Sequence, residues 1–239
     1  MYTKRVKKSV AVVLCAGKGI RLGKEYDRVA KAMIPILGKP LIKHVIDYWS
    51  PSVSRFVIVV GHHKKQVMKY ISTIPVKVNF VEQKNPHGIA DAVNRVIQVV
   101  PEKFIVILGD CLCVGEFKFP VRMEQGVGVW KTDNRQDIRQ SYSIRIQGHR
   151  IVGVKEKPRH IFNNFCGMGY YFFTDKVFSY IKKTKPSSLR GEVEITDVIQ
   201  KMIDGGEKIS PVLFKGEYIN ITHSEDIARA EEMLRRWGR

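Results

Sequence analysis

The chain has 239 residues, 44% hydrophobic and 27% charged, enough apolar material to bury a core, which excludes disordered and fibrous classes. Lys and Arg number 41 against 23 Asp and Glu, a net charge of +18. That surplus points to an anionic partner (nucleic acid, acidic membrane or phosphorylated small molecule) without choosing among them. The length suits one large domain with a second-half lobe better than two independent ones.

Met1 to Lys8 is basic and leads into the apolar run Ser9 to Ala16. The run is short for a signal peptide and opens directly onto a glycine loop, so a first strand over Val10 to Cys15 explains it better. A helix follows over Leu41 to Trp49, a buried strand over Phe56 to Val60, and a helix over Lys65 to Ile71. A third strand is expected over Val76 to Val81, then a helix over Ala90 to Val99 with Val93, Val96, Ile97 and Val100 on one side. A fourth strand, Phe104 to Leu108, stops at Gly109. Strands alternating with helices at these lengths predict right-handed βαβ units and a mostly parallel sheet.

After Asp110 the pattern changes to short strands over Val127 to Trp130, Tyr142 to Ile146, Ile151 to Val154 and Gly169 to Phe173, an antiparallel or mixed extension. An amphipathic helix, Ile195 to Ile203, ends at Gly205-Gly206, and Thr222-x-x-Glu225 has capping-box spacing before a last helix. The four cysteines (Cys15, Cys111, Cys113, Cys166) show neither C-x-x-C nor zinc-ligand spacing, so reduced, mostly buried thiols and a cytoplasmic location are expected. No apolar run approaches the ~18 residues of a membrane span.

Gly17-Lys18-Gly19-Ile20-Arg21 follows the first strand. Glycines there let backbone N–H groups approach phosphate oxygens, and Arg21 can fork onto two of them. The spacing matches neither G-x-G-x-x-G nor a Walker loop, and alone it does not separate a phosphate site from a turn. Ten residues after Arg21 comes Lys31 in Ala30-Lys31-Ala32-Met33-Ile34-Pro35, then Gly38-Lys39-Pro40-Leu41. With Gln83 to Ala92 (Gln-x-x-Pro-x-Gly-x-Ala-x-Ala), Leu108-Gly109-Asp110, Glu156-Lys157-Pro158, Gly191 to Asp197 and Tyr218-Ile219-Asn220, the whole chain resembles the sugar-phosphate nucleotidylyltransferases.

The resemblance implies an α/β, Rossmann-like (glycosyltransferase-A-like) three-layer fold with a mostly parallel mixed central sheet and a small antiparallel extension. It implies one domain over 1–239, with a nucleotide-binding half of about 1–112 and an acceptor-binding half of about 113–239. It also implies condensation of a nucleoside triphosphate with a sugar or polyol 1-phosphate, releasing pyrophosphate. Arg21 and Lys31 would hold the triphosphate, and Asp110 would ligate Mg2+. Lys157 would grip the acceptor phosphate, with Glu156 near a hydroxyl and Glu192 and Glu194 close by. The base would lie on Leu14, Cys15, Ala16 and Gly17, next to Gly19, with Gln83 and Gly88 completing its recognition. Gln83 suits that role because an amide can both donate to and accept from a pyrimidine edge. His44, His62 and His63 read as surface or capping residues.

Several positions depart from the family pattern. Ile20 and Ile89 replace hydroxyl residues, Asn220 replaces the usual second metal-ligand aspartate with Asp226 as an alternative, and Ser141-Tyr142 stands where Tyr-Gly packs a hexose. These departures, the short glycine loop and the lack of a C-terminal β-helix are most similar to the compact cytidylyltransferase branch, with CTP and 1L-myo-inositol 1-phosphate as preferred substrates. Open alternatives are a hexose 1-phosphate thymidylyl-, uridylyl- or guanylyltransferase and a phosphocholine cytidylyltransferase. A basic nucleic-acid-binding α/β protein is a different class, disfavoured because Lys and Arg are spread along the chain with no recognition helix. No nucleic-acid or membrane partner is therefore expected, and a homo-oligomer is left open.

Overall fold

The computed structural model describes residues 9–85, 87–161, 163–187 and 191–238. The basic Met1–Lys8 segment and Pro86 of the Gln83 motif lie outside the described residues. In the first half, β1 (Ser9–Cys15) enters the glycine loop, and a two-strand hairpin of β2 (Pro35–Ile36) and β3 (Lys39–Pro40) precedes α1 (Leu41–Trp49). Then come β4 (Val53–Val60), α2 (Lys64–Ile71), β5 (Val78–Glu82), α3 (Gly88–Asn94) and β6 (Lys103–Leu108). The second half carries β7 (Cys111–Lys118), β8 (Gln125–Lys131), α4 (Arg135–Gln140), β9 (Tyr142–Gln147), β10 (Arg150–Glu156) and β11 (Phe165–Thr174). It closes with α5 (Lys176–Lys183), α6 (Ile195–Asp204), β12 (Ile209–Asn220) and α7 (Glu225–Arg236).

One sheet runs β5-β4-β1-β6-β11-β8-β12-β7, with the β9–β10 hairpin joined to β11 as the antiparallel extension. β5, β4, β1 and β6 are parallel, and β11 crosses from β6 to β8 antiparallel to both. β1 is flanked on both edges, with Val12 registered between Val57 and Val106, which is why it reads as an unbroken apolar run. Its residues alternate between two cores. Ala11, Val13 and Cys15 pack in the layer of α1, α2 and α7, while Val10 and Val12 face α3, α5 and α6. The architecture is the expected three-layer α/β fold.

Some elements differ from expectation. The helix foreseen over Ala90 to Val99 stops at Asn94 and continues as turns bonded i to i+3, Val96 N–H to Val93 O and Val99 N–H to Val96 O. Pro101 ahead and the β-branched run before it disfavour a longer α-helix, and Ile97 is exposed, off the buried side. β7, α5 and most of β12 show no clear signal in the sequence. Thr222 does not cap the last helix. Buried Asp226 accepts the backbone N–H groups of Thr222 and His223, both at 2.8 Å, and Ser224 holds the N-cap position; an ionised carboxylate is the stronger acceptor. Among the described residues, no helix is long and apolar enough to cross a membrane.

Candidate active site

A cleft of about 350 Å3 opens at the carboxyl edge of the parallel strands, the place where open α/β sheets bind ligands and within the usual size range for a ligand pocket. Its floor is built by close approach of backbones. Gly109 donates its N–H to Leu14 O at 3.0 Å, and a side chain there would meet Cys15 Sγ at 2.6 Å and Leu14 O at 2.7 Å. Gly19 sits at φ 70° and turns the loop back into a 3-10 turn, Ile20–Leu22, anchored by buried Leu22. Leu14, Cys15, Ala16, Gly17 and Gly19 line the cleft, with Arg21, Lys31, Gln83, Gly88, Asp110 and Glu192 around them.

Lys31 Nζ stands 2.5 Å from Asp110 Oδ2 across this floor, with both side chains mostly covered. Arg21 and Lys18 are exposed and form no ion pair with described residues. Lys18, Arg21 and Lys31 therefore outnumber the two carboxylates of the cleft, Asp110 and Glu192, a field suited to a polyanion. Burial, and then the charge of Asp110, pushes the Cys15 thiol far above its ordinary value, so it is a neutral thiol on the cleft wall. All four cysteines are buried and none is in a disulfide.

The segment carrying Lys31 is pinned from behind. Gln66 on α2 accepts from Ala30 N–H at 2.9 Å and donates to Arg28 O at 2.8 Å. His63 Nε2 lies 2.8 Å from Asp27 O and His44 Nε2 2.9 Å from Ile36 O. A carbonyl only accepts, so each imidazole carries a proton on Nε2, and burial holds His44 below the usual imidazole range. Neither histidine lines the cleft; each ring holds a backbone carbonyl, and the His63 side chain makes no cap hydrogen bond to α2. Gln66→Ala is expected to lower turnover about three- to tenfold by loosening Lys31 while costing about 1 kcal/mol of stability; steady-state kinetics beside a urea titration checks both. Sequence inspection missed Gln66 because a glutamine 35 residues from Lys31 carries no local signal.

Gln83, at the end of β5, is 3% exposed, and its amide nitrogen lies 2.7 Å from Asp91 Oδ2 and 3.2 Å from Gly88 O. The expectation that this amide both donates and accepts is corrected here, since both N–H groups are used within the fold. Gly88 has φ 85°, and a side chain on it would meet Glu192 at 2.9 Å, so a glycine lets the two segments touch. Thr222 and Ile89 also line the cleft; the sequence marks Ile89 as a departure from a hydroxyl residue there and reads Thr222 only as a helix cap.

Apart from Glu192, the acceptor-half site residues named from the sequence lie outside the cleft. Glu156, Lys157 and Asn220 do not line the cleft. Lys157 follows β10 with φ 41°, its N–H donating to Ser141 O at 2.8 Å, and Glu156 accepts from the Thr196 hydroxyl at 3.3 Å. Glu194 is buried beside α6. Ser141 and Asn220 share a small hollow that meets the main cleft at Thr222. Asn220 pairs in register with Cys111, one residue beyond Asp110, and its buried Oδ1 takes no hydrogen bond from described residues. The Asp226 Oδ2 accepts from two backbone amides and its Oδ1 from Arg229, so this carboxylate already serves the start of α7.

Fold and cleft define a three-layer α/β protein with a glycine-rich, cation-lined cleft at the carboxyl edge of its sheet. The model of the nucleotidyl transferase family matches residues 10–236, and the chain belongs to that family. It is 31% identical to the bifunctional protein GlmU of Methanocaldococcus jannaschii over 94% of this chain and 54% of that protein. The chain thus spans about half the length of the GlmU relatives it matches. It is 29% identical to the UTP–glucose-1-phosphate uridylyltransferase AglF of Haloferax volcanii, covering 94% of this chain and 96% of AglF. Among solved structures, the fold is shared with apo UDP-glucose pyrophosphorylase (TM-score 0.84, 21% identity, 97% of this chain and 100% of that one). It is also shared with the inositol-1-phosphate CTP transferase from T. maritima (TM-score 0.82, 24% identity, 96% of each chain).

Proposed function

We propose that the chain transfers a nucleotidyl group from a nucleoside triphosphate to a sugar or polyol 1-phosphate. The carrying observation is the Lys31–Asp110 pair on the floor of the glycine-loop cleft. An acceptor phosphate oxygen attacks the α-phosphorus in line. One P–O bond forms, the α–β anhydride bond breaks, and its electron pair leaves on pyrophosphate. No covalent nucleophile is required, only alignment and neutralisation of the charge gathering on the leaving group. Arg21 and Lys31 supply that neutralisation, the backbone from Leu14 to Gly19 cradles the nucleotide, and Glu192 closes the side over Gly88. Lys157 holds the acceptor phosphate, with Glu156 directed to a hydroxyl.

Asp110 and Asn220 fit Mg2+. Both offer oxygen, the buried Asn220 Oδ1 lacks a hydrogen-bond partner among the described residues, and a hard cation takes one or two protein oxygens and fills the rest with phosphate and water. When bound, the ion would supply further neutralisation of phosphate charge. Four cysteines without a disulfide support work in a reducing cytoplasm.

CTP with 1L-myo-inositol 1-phosphate is the first pair to test, supported by Ile20, Ser141-Tyr142 and Asn220, which depart from the hexose pattern. UTP with a hexose 1-phosphate is the second, favoured by similarity to AglF along nearly its whole length. A pyrophosphate-release assay crossing CTP, UTP, dTTP and GTP with inositol, glucose, mannose and choline phosphates decides. Turnover with any sugar or polyol phosphate supports the class; turnover only with hexose phosphates removes the inositol pair; silence in every combination with Mg2+ present sinks the enzyme.

A further inference from the structure

Gln83 is the one buried amide on the cleft wall, and its surroundings restrict what it can offer a ligand. Its nitrogen faces two groups, the Asp91 carboxylate at 2.7 Å and the Gly88 carbonyl at 3.2 Å. Both can only accept, so the opposite orientation would place oxygen against oxygen. The same Asp91 oxygen takes a second hydrogen bond from Arg95 Nε at 2.9 Å, one helical turn on. Arg95, Asp91 and Gln83 thus form a relay that runs inward from a partly exposed cation to the cleft. At its end Gln83 Oε1 accepts from no described residue.

We propose that Asp91 is a positioning residue for base specificity: with one amide proton of Gln83 held by Asp91 and the other by the Gly88 carbonyl, Gln83 is an obligate acceptor, so the cleft selects a nucleobase that presents an N–H donor there. That donor is the ring N3–H of uracil or thymine or the exocyclic amine of cytosine. Asp91 itself does not line the cleft; it acts through Gln83. A ligand without the donor leaves Gln83 Oε1 buried and unpaired, the costly half of a hydrogen-bond exchange. The inference rests on the nucleotidyl-transfer proposal for the same cleft, which supplies the base.

The test is calorimetric binding of UTP, 3-methyl-UTP, CTP and N4,N4-dimethyl-CTP to the full chain, in wild type, Asp91→Ala and Asp91→Asn. In the wild type, blocking the donor of whichever nucleotide binds is expected to weaken affinity by about tenfold or more. In Asp91→Ala only the longer contact to the Gly88 carbonyl still orients the Gln83 amide, and the ratio between free and blocked nucleotide should fall to about twofold or less. Asp91→Asn keeps an acceptor oxygen without the charge and should restore the wild-type ratio. A methyl group that merely clashes would keep its penalty in Asp91→Ala, and that result overturns the proposal. So does a wild type indifferent to the blocked donor. If the wild type binds no nucleoside triphosphate, the nucleotidyl-transfer proposal fails with it; if it binds blocked and free nucleotides alike, only the specificity inference fails. Thermal unfolding of each variant confirms that a lost ratio is not lost folding.

Discussion

Lys31→Ala is expected to lower turnover by ~10²-fold or more, the usual effect of removing one preorganised charge from a site where negative charge develops. Asp110→Ala should fall at least as far. The two side chains meet at 2.5 Å, so each also orients the other, and their losses should not multiply. A double variant no more than about tenfold below the worse single one would mark them as parts of one unit. Lys31→Arg tests geometry rather than charge, because a planar guanidinium reaches a carboxylate and a phosphate differently from a compact ammonium. The pair is partly open to solvent, so stability should move by less than about 1 kcal/mol in either single variant. Steady-state kinetics with the best substrate pair, run beside urea unfolding, separates these outcomes. Near-normal turnover in Lys31→Ala would displace the glycine-loop cleft as the reaction centre.

The largest stability effect is expected at Trp49, on the layer beneath β7. Its ring packs 5.5 Å from Phe117 and 5.7 Å from Tyr170, and Phe117 lies 4.8 Å from Phe214. This aromatic group ties α1 to the strand that begins one residue after Asp110. Trp49→Ala opens a cavity there and should cost about 3–5 kcal/mol. Trp49→Phe should cost less than about 2 kcal/mol, because the lost volume is partly offset by deleting an indole N–H that has no acceptor among the described residues. Denaturant midpoints at unchanged m-value check both figures. Equal losses in the two variants would mean that the indole nitrogen, not ring volume, matters at this position.

The +18 surplus takes on a local meaning in the structure. Lys18, Arg21 and Lys31 converge on one loop, where a triphosphate would sit. Those three charges leave most of the excess on the solvated surface, where it raises the encounter rate with any anion.

How much of the site was legible depended on how far apart its parts lie along the chain. Gly17 to Arg21 and Leu108 to Asp110 stand where strands that bury both faces end, whereas Lys31 opens a 3-10 turn and was legible only through its place in the family motif. A continuous apolar run followed by glycine announces both the strand and the place where it stops. Gln83 and Gly88 were visible only through the resemblance, as fixed positions of the Gln83 to Ala92 motif. Asp91 and Gln66 were not, because each acts through a hydrogen bond to another residue and leaves no pattern in its own neighbourhood. β7 and β12 were obscured by glycines and charges, Gly115 and Glu116 facing Lys215 and Gly216 across the pair.

Sequence alone therefore determined the α/β alternation, the two faces of β1 and the residues that end its buried strands, since all of these follow from short-range periodicity and backbone preference. Only tertiary structure decided that Lys31 meets Asp110, 79 residues away. It also decided that Asp226 is consumed by backbone amides and that Gln83 faces the cleft with its oxygen free. These outcomes turn on which donor finds which acceptor once distant segments are packed together. The charge of the chain was open to inspection from the start; where it gathers was settled by the fold that brings three of its cations to one loop.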